Sequence, residues 1–254
     1  MLTHWNTWPI LLPIHGLAGA GLALGWIGPW PLVIGLVVHG CLLVWGSFFP
    51  GSGFFLTAQV HGPEGTLALT FDDGPDPQRT PALLDLLKQE QVRASFFCIG
   101  ERVRNEPDIV ERMVREGHLV GGHSMDHPWN WGLLPTSKVV EQILQCQGTI
   151  AQVTGMRSTY FRNPFGVASP PVARAIARTG VHVVGWDVRT YDTFYQDPEL
   201  ALKKVFGRSP KGTIVLLHDT LDSTLATVER IIKESRKRGI RLVRVDEGTD
   251  RTLT

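Results

Sequence analysis

No aspartate, glutamate, lysine or arginine occurs before Glu64, so all 49 charged side chains of this 254-residue chain fall in its last 191 positions. A water-soluble body spreads its charges over its whole surface, so the division implies two solvents. Within the uncharged part, Pro9–Ile27 and Pro31–Phe49 are apolar runs of 19 residues each, parted by Gly28-Pro29-Trp30. About 20 such residues cross a hydrocarbon core. Trp5, Trp8, Trp26, Trp30 and Trp45 lie near the ends of these runs, where an amphipathic indole favours the lipid–water interface. The pattern predicts a transmembrane hairpin in contact with a lipid bilayer. A cleaved signal peptide needs a basic n-region and a shorter apolar stretch, and neither is present. His15 and His39 inside the runs are tolerable as neutral imidazoles in a helix pair. With no lysine or arginine flanking either run, charge gives no orientation.

Residues 1–50 are therefore assigned to the hairpin, 51–63 to a linker containing Gly51-Ser52-Gly53, and 64–254 to a second domain. The near-even charge balance, 25 basic against 24 acidic residues, excludes a nucleic-acid surface. Cys41, Cys98 and Cys146 are too few and too scattered for a disulfide framework.

In the second domain, strand-length apolar runs alternate with segments of helical period. Strands are expected at Thr66–Phe71, Ala94–Ile99, Leu119–Gly122, Tyr160–Arg162, Val181–Trp186, Thr213–Leu217 and Arg241–Val245. Helices are expected near Pro81–Gln91, Glu106–Arg115, Ser137–Val153, Pro170–Ala177, Pro198–Phe206 and Thr224–Arg238, the last stopped by Gly239. Seven βα units without a glycine-rich dinucleotide turn predict an α/β fold, a distorted (β/α)7 barrel preceded by the N-terminal two-helix transmembrane hairpin.

Chemistry in such barrels gathers at the C-terminal ends of the strands. The first strand ends in Thr70-Phe71-Asp72-Asp73-Gly74-Pro75, two adjacent carboxylates that call for a cation. The third ends in His123-Ser124-Met125-Asp126-His127, whose two imidazoles are four residues apart. One carboxylate and two histidines make a three-ligand site with coordination left open for water, the arrangement of a catalytic and not a structural zinc. Three further strand ends carry Arg162-Asn163-Pro164-Phe165-Gly166, Trp186-Asp187-Val188-Arg189-Thr190-Tyr191-Asp192 and Leu216-Leu217-His218-Asp219. An arginine, an aspartate and a histidine there suit a hydrolase that orients a base and protonates a leaving group. His118 and His182, near strand starts, are assigned structural roles.

Taken in order, TFDDGP, HSMDH, RNPFG and LLH over residues 65–247 resemble the polysaccharide deacetylase family, the NodB-homology or carbohydrate esterase 4 domain. The resemblance implies a metal held by Asp73, His123 and His127, with Asp72 as general base, Arg162 orienting it, His218 as general acid and Asp192 paired with His218. It implies hydrolysis of N-acetyl groups on a bacterial envelope glycan at the inner membrane, with the catalytic domain on the extracytoplasmic side. The expected metal is zinc, with cobalt, nickel or manganese also compatible with an Asp/His₂ set. The backbone N–H of Phe165 is the expected oxyanion donor, and Trp129 and Trp131 are rim aromatics that would stack on sugar rings. The chain departs from the family at the fourth motif, where Arg189 stands for an aspartate and Thr193 for a tryptophan, with Phe194 a replacement for the lost indole. Two alternatives follow: a deacetylase or deformylase of a lipid-linked sugar, and an inactive membrane-anchored glycan-binding protein.

Overall fold

The structure is a computed structural model that describes residues 3–207 and 212–247. Two helices open it, α1 (His4–Ala23) and α2 (Trp30–Phe48). They lie against each other, with His15 Nε2 at 3.2 Å from His39 Nδ1 and the two rings stacked. Thr3 caps α1 by accepting from the Asn6 N–H, while the Asn6 side chain accepts from the Thr3 N–H. Of the two, α2 alone is long and apolar enough to cross a membrane, with a mean hydropathy of 1.9. The first of the two expected spans, Pro9–Ile27, is thus revised. Its helix starts five residues earlier, takes in the polar His4, Asn6 and Thr7, and ends at Ala23, short of the Gly25 turn.

The stretch after α2 is not a free tether. Phe54 and Phe55 are buried with Leu42, Leu43 and Ala168, and Gly46 lies so close to the Phe54 ring that any Cβ there would overlap it. The Ala168 N–H donates to the Ser47 carbonyl at 3.0 Å, and the His4 N–H to the Phe54 carbonyl at 2.8 Å. Gln59 and His61 then make single bridges to Val184 and Thr213.

The remainder is a curled parallel sheet flanked by helices. Its strands are β1 (Thr66–Asp72), β2 (Ser95–Cys98), β3 (Leu119–Gly122), β4 (Tyr160–Phe161), β5 (His182–Val183), β6 (Val188–Arg189), β7 (Thr213–His218) and β8 (Arg241–Val243). They run in the order β5-β4-β3-β2-β1-β7-β6, with β8 also paired to the start of β1. All seven expected strands are present and an eighth, the two-residue β6, is added. Among the described residues β5 and β6 do not pair, so the expected barrel is a half-barrel. The edge strands β5 and β6, and β4 beside β5, are two residues each, which leaves little backbone for the edges to meet.

The helices are α3 (Thr80–Gln89), α4 (Gly100–Asn105), α5 (Pro107–Arg115), α6 (Thr136–Thr154), α7 (Pro170–Thr179), α8 (Asp192–Tyr195), α9 (Pro198–Phe206) and α10 (Thr224–Lys237). Their apolar faces bury one side of the sheet: Leu83, Leu84 and Leu87 of α3 and Val228, Ile231 and Ile232 of α10 pack on Leu67, Leu69 and Phe71 of β1. With helices on its outer face, β1 is buried at every position, the near-continuous apolar run expected of a central parallel strand.

Candidate active site

Strand register gathers the polar residues. Asp72, the last residue of β1, is the Cα partner of His218, the last of β7. On the other flank Gly122 of β3 pairs with Phe161 of β4, so His123 and Arg162 leave the sheet side by side. The His123 ring Nδ1 lies 2.9 Å from the Arg162 carbonyl. A carbonyl only accepts, so Nδ1 carries the proton and Nε2 presents a lone pair.

That lone pair faces Asp73. Asp73 Oδ1 is buried without a hydrogen-bond partner and sits 3.5 Å from both His123 Nε2 and His127 Nε2. These three ligand atoms lie within 4.8 Å of one another, an arrangement that could hold a divalent ion. Backbone conformation contributes: Asp73, Ser124 and His127 have φ of 71°, 64° and 53°, the left-handed region that costs energy for residues with a side chain. The Ser124 hydroxyl accepts the His127 N–H at 3.0 Å and steadies that turn. Burial works to raise the Asp73 carboxyl, but the imidazoles of His123, His218 and His127 together hold it below the usual carboxylate range. Burial, and the neighbouring His123, lower His127.

On one side of this cluster, Arg162 is wholly buried and its donors are all directed inward. It donates to Asp72 Oδ1 at 2.7 Å, to the Thr70 hydroxyl at 2.8 Å, and to the carbonyls of Val184 and Gly185 at 3.1 and 2.7 Å. Asp72, itself 3% exposed, is thereby held in place with Oδ2 3.9 Å from His123 Nε2. On the other side, His218 Nδ1 is 3.0 Å from Asp192 Oδ1, and the His218 N–H donates to Asp192 Oδ2 at 2.8 Å. Burial lowers the His218 ring, but the Asp192 hydrogen bond and charge overcome it and set it above its ordinary value. Its free Nε2 lies 4.0 Å from Asp73 Oδ2.

The structure thus brings together Asp72, Asp73, His123, His127, Arg162, Asp192 and His218. Phe165 joins them, its ring 4.6 Å from that of His127. Phe165 has φ of 59° in a turn closed by Gly166 N–H to Asn163 and Val167 N–H to Pro164, neither of which uses the Phe165 N–H. The expected rim aromatics separate. Trp129 is 84% exposed, whereas Trp131 is completely buried against Phe161, so its faces cannot meet a sugar. The local reason is the short turn Trp131–Leu133, which rolls that indole under the loop into the apolar cluster of α6 and α7. Phe194, offered for the lost indole, is exposed. His118 and His182 do fall outside the site, His118 accepting the Ala94 N–H and His182 meeting Gln59.

Two supports went unread in the sequence. Thr70 links Arg162 to the β7 backbone, donating to the Val215 carbonyl at 2.6 Å. Asp219 is 1% exposed, accepts the Thr80 hydroxyl at 2.6 Å, and has its carboxyl pushed up to about 7 by burial. It packs so closely on Gly74 that a side chain at that position would overlap its carboxylate. Both stand within motifs already singled out, and only their burial marks them as props of the site.

Residues 59–184 match the polysaccharide deacetylase family, and a peptidoglycan-N-acetylglucosamine deacetylase of Bacillus cereus is 33% identical over 204 residues, 76% of this chain and 92% of that one. The chain belongs to the polysaccharide deacetylase family. The peptidoglycan-N-acetylglucosamine deacetylase PgdA of Listeria monocytogenes is 38% identical over 181 residues, 71% of this chain, and the match spans only 38% of that protein's length. Among solved structures, a peptidoglycan N-acetylglucosamine deacetylase superposes with a TM-score of 0.71 at 30% identity, covering 75% of this chain and 92% of the other. The peptidoglycan deacetylase PdaC from Bacillus subtilis follows with a TM-score of 0.66 at 32% identity, covering 72% and 88%. The half-barrel is therefore that of the polysaccharide deacetylase fold.

Proposed function

We propose that this chain is a divalent-metal-dependent hydrolase that removes N-acetyl groups from a bacterial envelope glycan, working at the inner membrane with its catalytic domain on the extracytoplasmic side. The observation that carries the proposal is the unpartnered Asp73 carboxylate oxygen between two imidazole nitrogens, flanked by an arginine-held carboxylate and an aspartate-held histidine.

Asp73, His123 and His127 would hold the ion, zinc first among the candidates for one carboxylate and two imidazoles. When bound, it supplies polarisation of the amide carbonyl and acidification of water. Asp72, oriented by Arg162, takes the proton of a water as its oxygen attacks the acetyl carbon. The Phe165 N–H is the donor assigned to the carbonyl oxygen as it gains charge. His218, oriented by Asp192, gives its Nε2 proton to the nitrogen as the C–N bond breaks. Water is consumed, and acetate and a free amine leave. Trp129 is the remaining candidate for stacking on a sugar ring. In this reading residues 1–50 are the helical membrane hairpin, with α2 its one helix long and apolar enough to cross, 51–63 the connection and 64–254 the deacetylase domain. The 19 residues of α2, about 28 Å at 1.5 Å each, support the anchor.

The test is to load the full chain with zinc in detergent and measure acetate and free amine from N-acetylated oligosaccharides. Release of both in equal amounts is expected. Glycan binding with no acetate, at any metal loading, would overturn the proposal in favour of an inactive binding protein.

A further inference from the structure

A groove of about 1180 Å³ runs beside the site, and its walls join the reaction centre to the end of α2. Phe165, whose ring contacts His127, lines it. So do Trp45, Phe48 and Phe49, which close α2 and are 39%, 59% and 60% exposed. Three cations share the same wall, Arg189 at the end of β6 and Lys203 and Lys204 of α9. Among the described residues no carboxylate forms an ion pair with any of the three. Aromatic rings hold two of them instead: Arg189 lies 5.1 Å from the Tyr191 centroid and 5.9 Å from that of Trp186, and Lys204 Nζ is 4.6 Å from the Tyr191 ring. One carboxylate, Asp187, also lines the groove, leaving cations in excess.

Unpaired cations on aromatic faces, beside the exposed aromatic end of an apolar helix, match a ligand with a phosphate group joined to a hydrocarbon chain. We propose that the groove binds the lipid-phosphate part of a lipid-linked saccharide, with Arg189, Lys203 and Lys204 on the phosphate and the hydrocarbon following Trp45, Phe48 and Phe49 toward the bilayer. The saccharide then lies beside Phe165, next to His127. This rests on the deacetylase function proposed above and names its substrate class.

The full chain in nanodiscs, zinc-loaded, is given three N-acetylated probes: N-acetylglucosaminyl diphospho-farnesol, UDP-N-acetylglucosamine and neutral chitotetraose. Free amine is followed, and farnesyl diphosphate binding is measured by calorimetry, which needs no turnover. The lipid-linked probe is expected to exceed chitotetraose at least tenfold in kcat/KM. Arg189→Gln, and separately the surface pair Lys203→Gln with Lys204→Gln, should remove most of that preference through KM and weaken farnesyl diphosphate at least tenfold. Equal or better use of chitotetraose, with farnesyl diphosphate binding unchanged in both variants, would overturn the inference. So would variants that alter only adsorption to phosphatidylglycerol vesicles, which would assign the cations to bilayer docking. UDP-N-acetylglucosamine matching the lipid-linked probe would overturn the lipid part. Weakened farnesyl diphosphate binding in the variants, with no amine from any probe, would uphold the groove and overturn the deacetylase function instead.

Discussion

Replacing Asp72 by asparagine separates base chemistry from metal holding. The asparagine amide keeps an oxygen where Asp72 Oδ1 accepts from Arg162 at 2.7 Å, so the hydrogen bond survives and only its charge is lost. Loss of charge assistance at this buried pair costs about 1–3 kcal/mol of stability, against about 3–5 kcal/mol for removing one partner outright, as Arg162→Met would. A general base contributes roughly 10²–10⁴-fold, about 3–5 kcal/mol of barrier. Asp72→Asn should therefore lose two to four decades in kcat while thermal denaturation moves modestly. Because Asp73, His123 and His127 are the residues whose ligand atoms converge, its zinc content should stay near one per chain. His123→Ala should lose both zinc and turnover, since it deletes one of the two imidazoles facing Asp73 Oδ1. Metal is measured by elemental analysis of the dialysed proteins and turnover by amine release on the same samples. An Asp72→Asn protein within tenfold of wild-type turnover, or one that loses metal as completely as His123→Ala, would refute this division of labour.

Because Asp192 raises His218 above its ordinary value, this residue, the proposed general acid, stays protonated to higher pH than a free imidazole, and activity should fall as pH rises through that raised value. Asp192→Asn removes the cause, so the alkaline limb of kcat should move to lower pH; an unmoved limb would exclude His218 as the titrating acid. His118 is different: burial depresses it to about 4, and its Nδ1 accepts the Ala94 N–H, so the native state holds it neutral. The unfolded chain binds that proton below about pH 6.5, so stability is lost as pH falls from there to about 4, by about 3 kcal/mol in all. His118→Asn should flatten the urea-midpoint profile across that window without changing kcat. Treatment of the wild-type protein with a chelator should abolish amine release, and readdition of zinc should restore it.

How much of this was legible in sequence depended on length. Long segments announce themselves: β1 and β7 as apolar runs of seven and six residues, α6 and α10 by helical period, each within one residue of expectation at both ends. The two-residue β6 carries no such signal, since Val188 and Arg189 alternate over too short a span to distinguish strand from loop. With β6 unread and β5 equally short, nothing in the pattern separates a closed barrel from a half-barrel, because closure is decided by which edge strands pair and not by their number. The first helix shows a related limit. Apolar content fixed the existence of a helix, but Pro9 and Pro13 lie inside it and not at its start, so proline placement misled the boundary.

The site was more legible than the fold because its residues are chemically conspicuous and sit at strand ends. Asp72, Asp73, His123, His127, Arg162 and His218 are polar groups at, or within a few residues of, the ends of apolar strands, and a parallel sheet in register brings such positions to one edge. What composition and spacing cannot convey is which side of a short loop turns inward. Trp129 and Trp131, two residues apart, end at 84% exposure and complete burial. Thr70 and Asp219, unremarkable beside the residues they support, are the groups through which the sheet fixes Arg162 and the Asp73 turn. The same reasoning explains Arg189: a substitution that reads in sequence as damage to a motif stands, in three dimensions, on the wall of a groove with two lysines and the end of α2. Its charge is set against aromatic rings and not against Asp73, His123 or His127, so the proposed reaction centre is left whole.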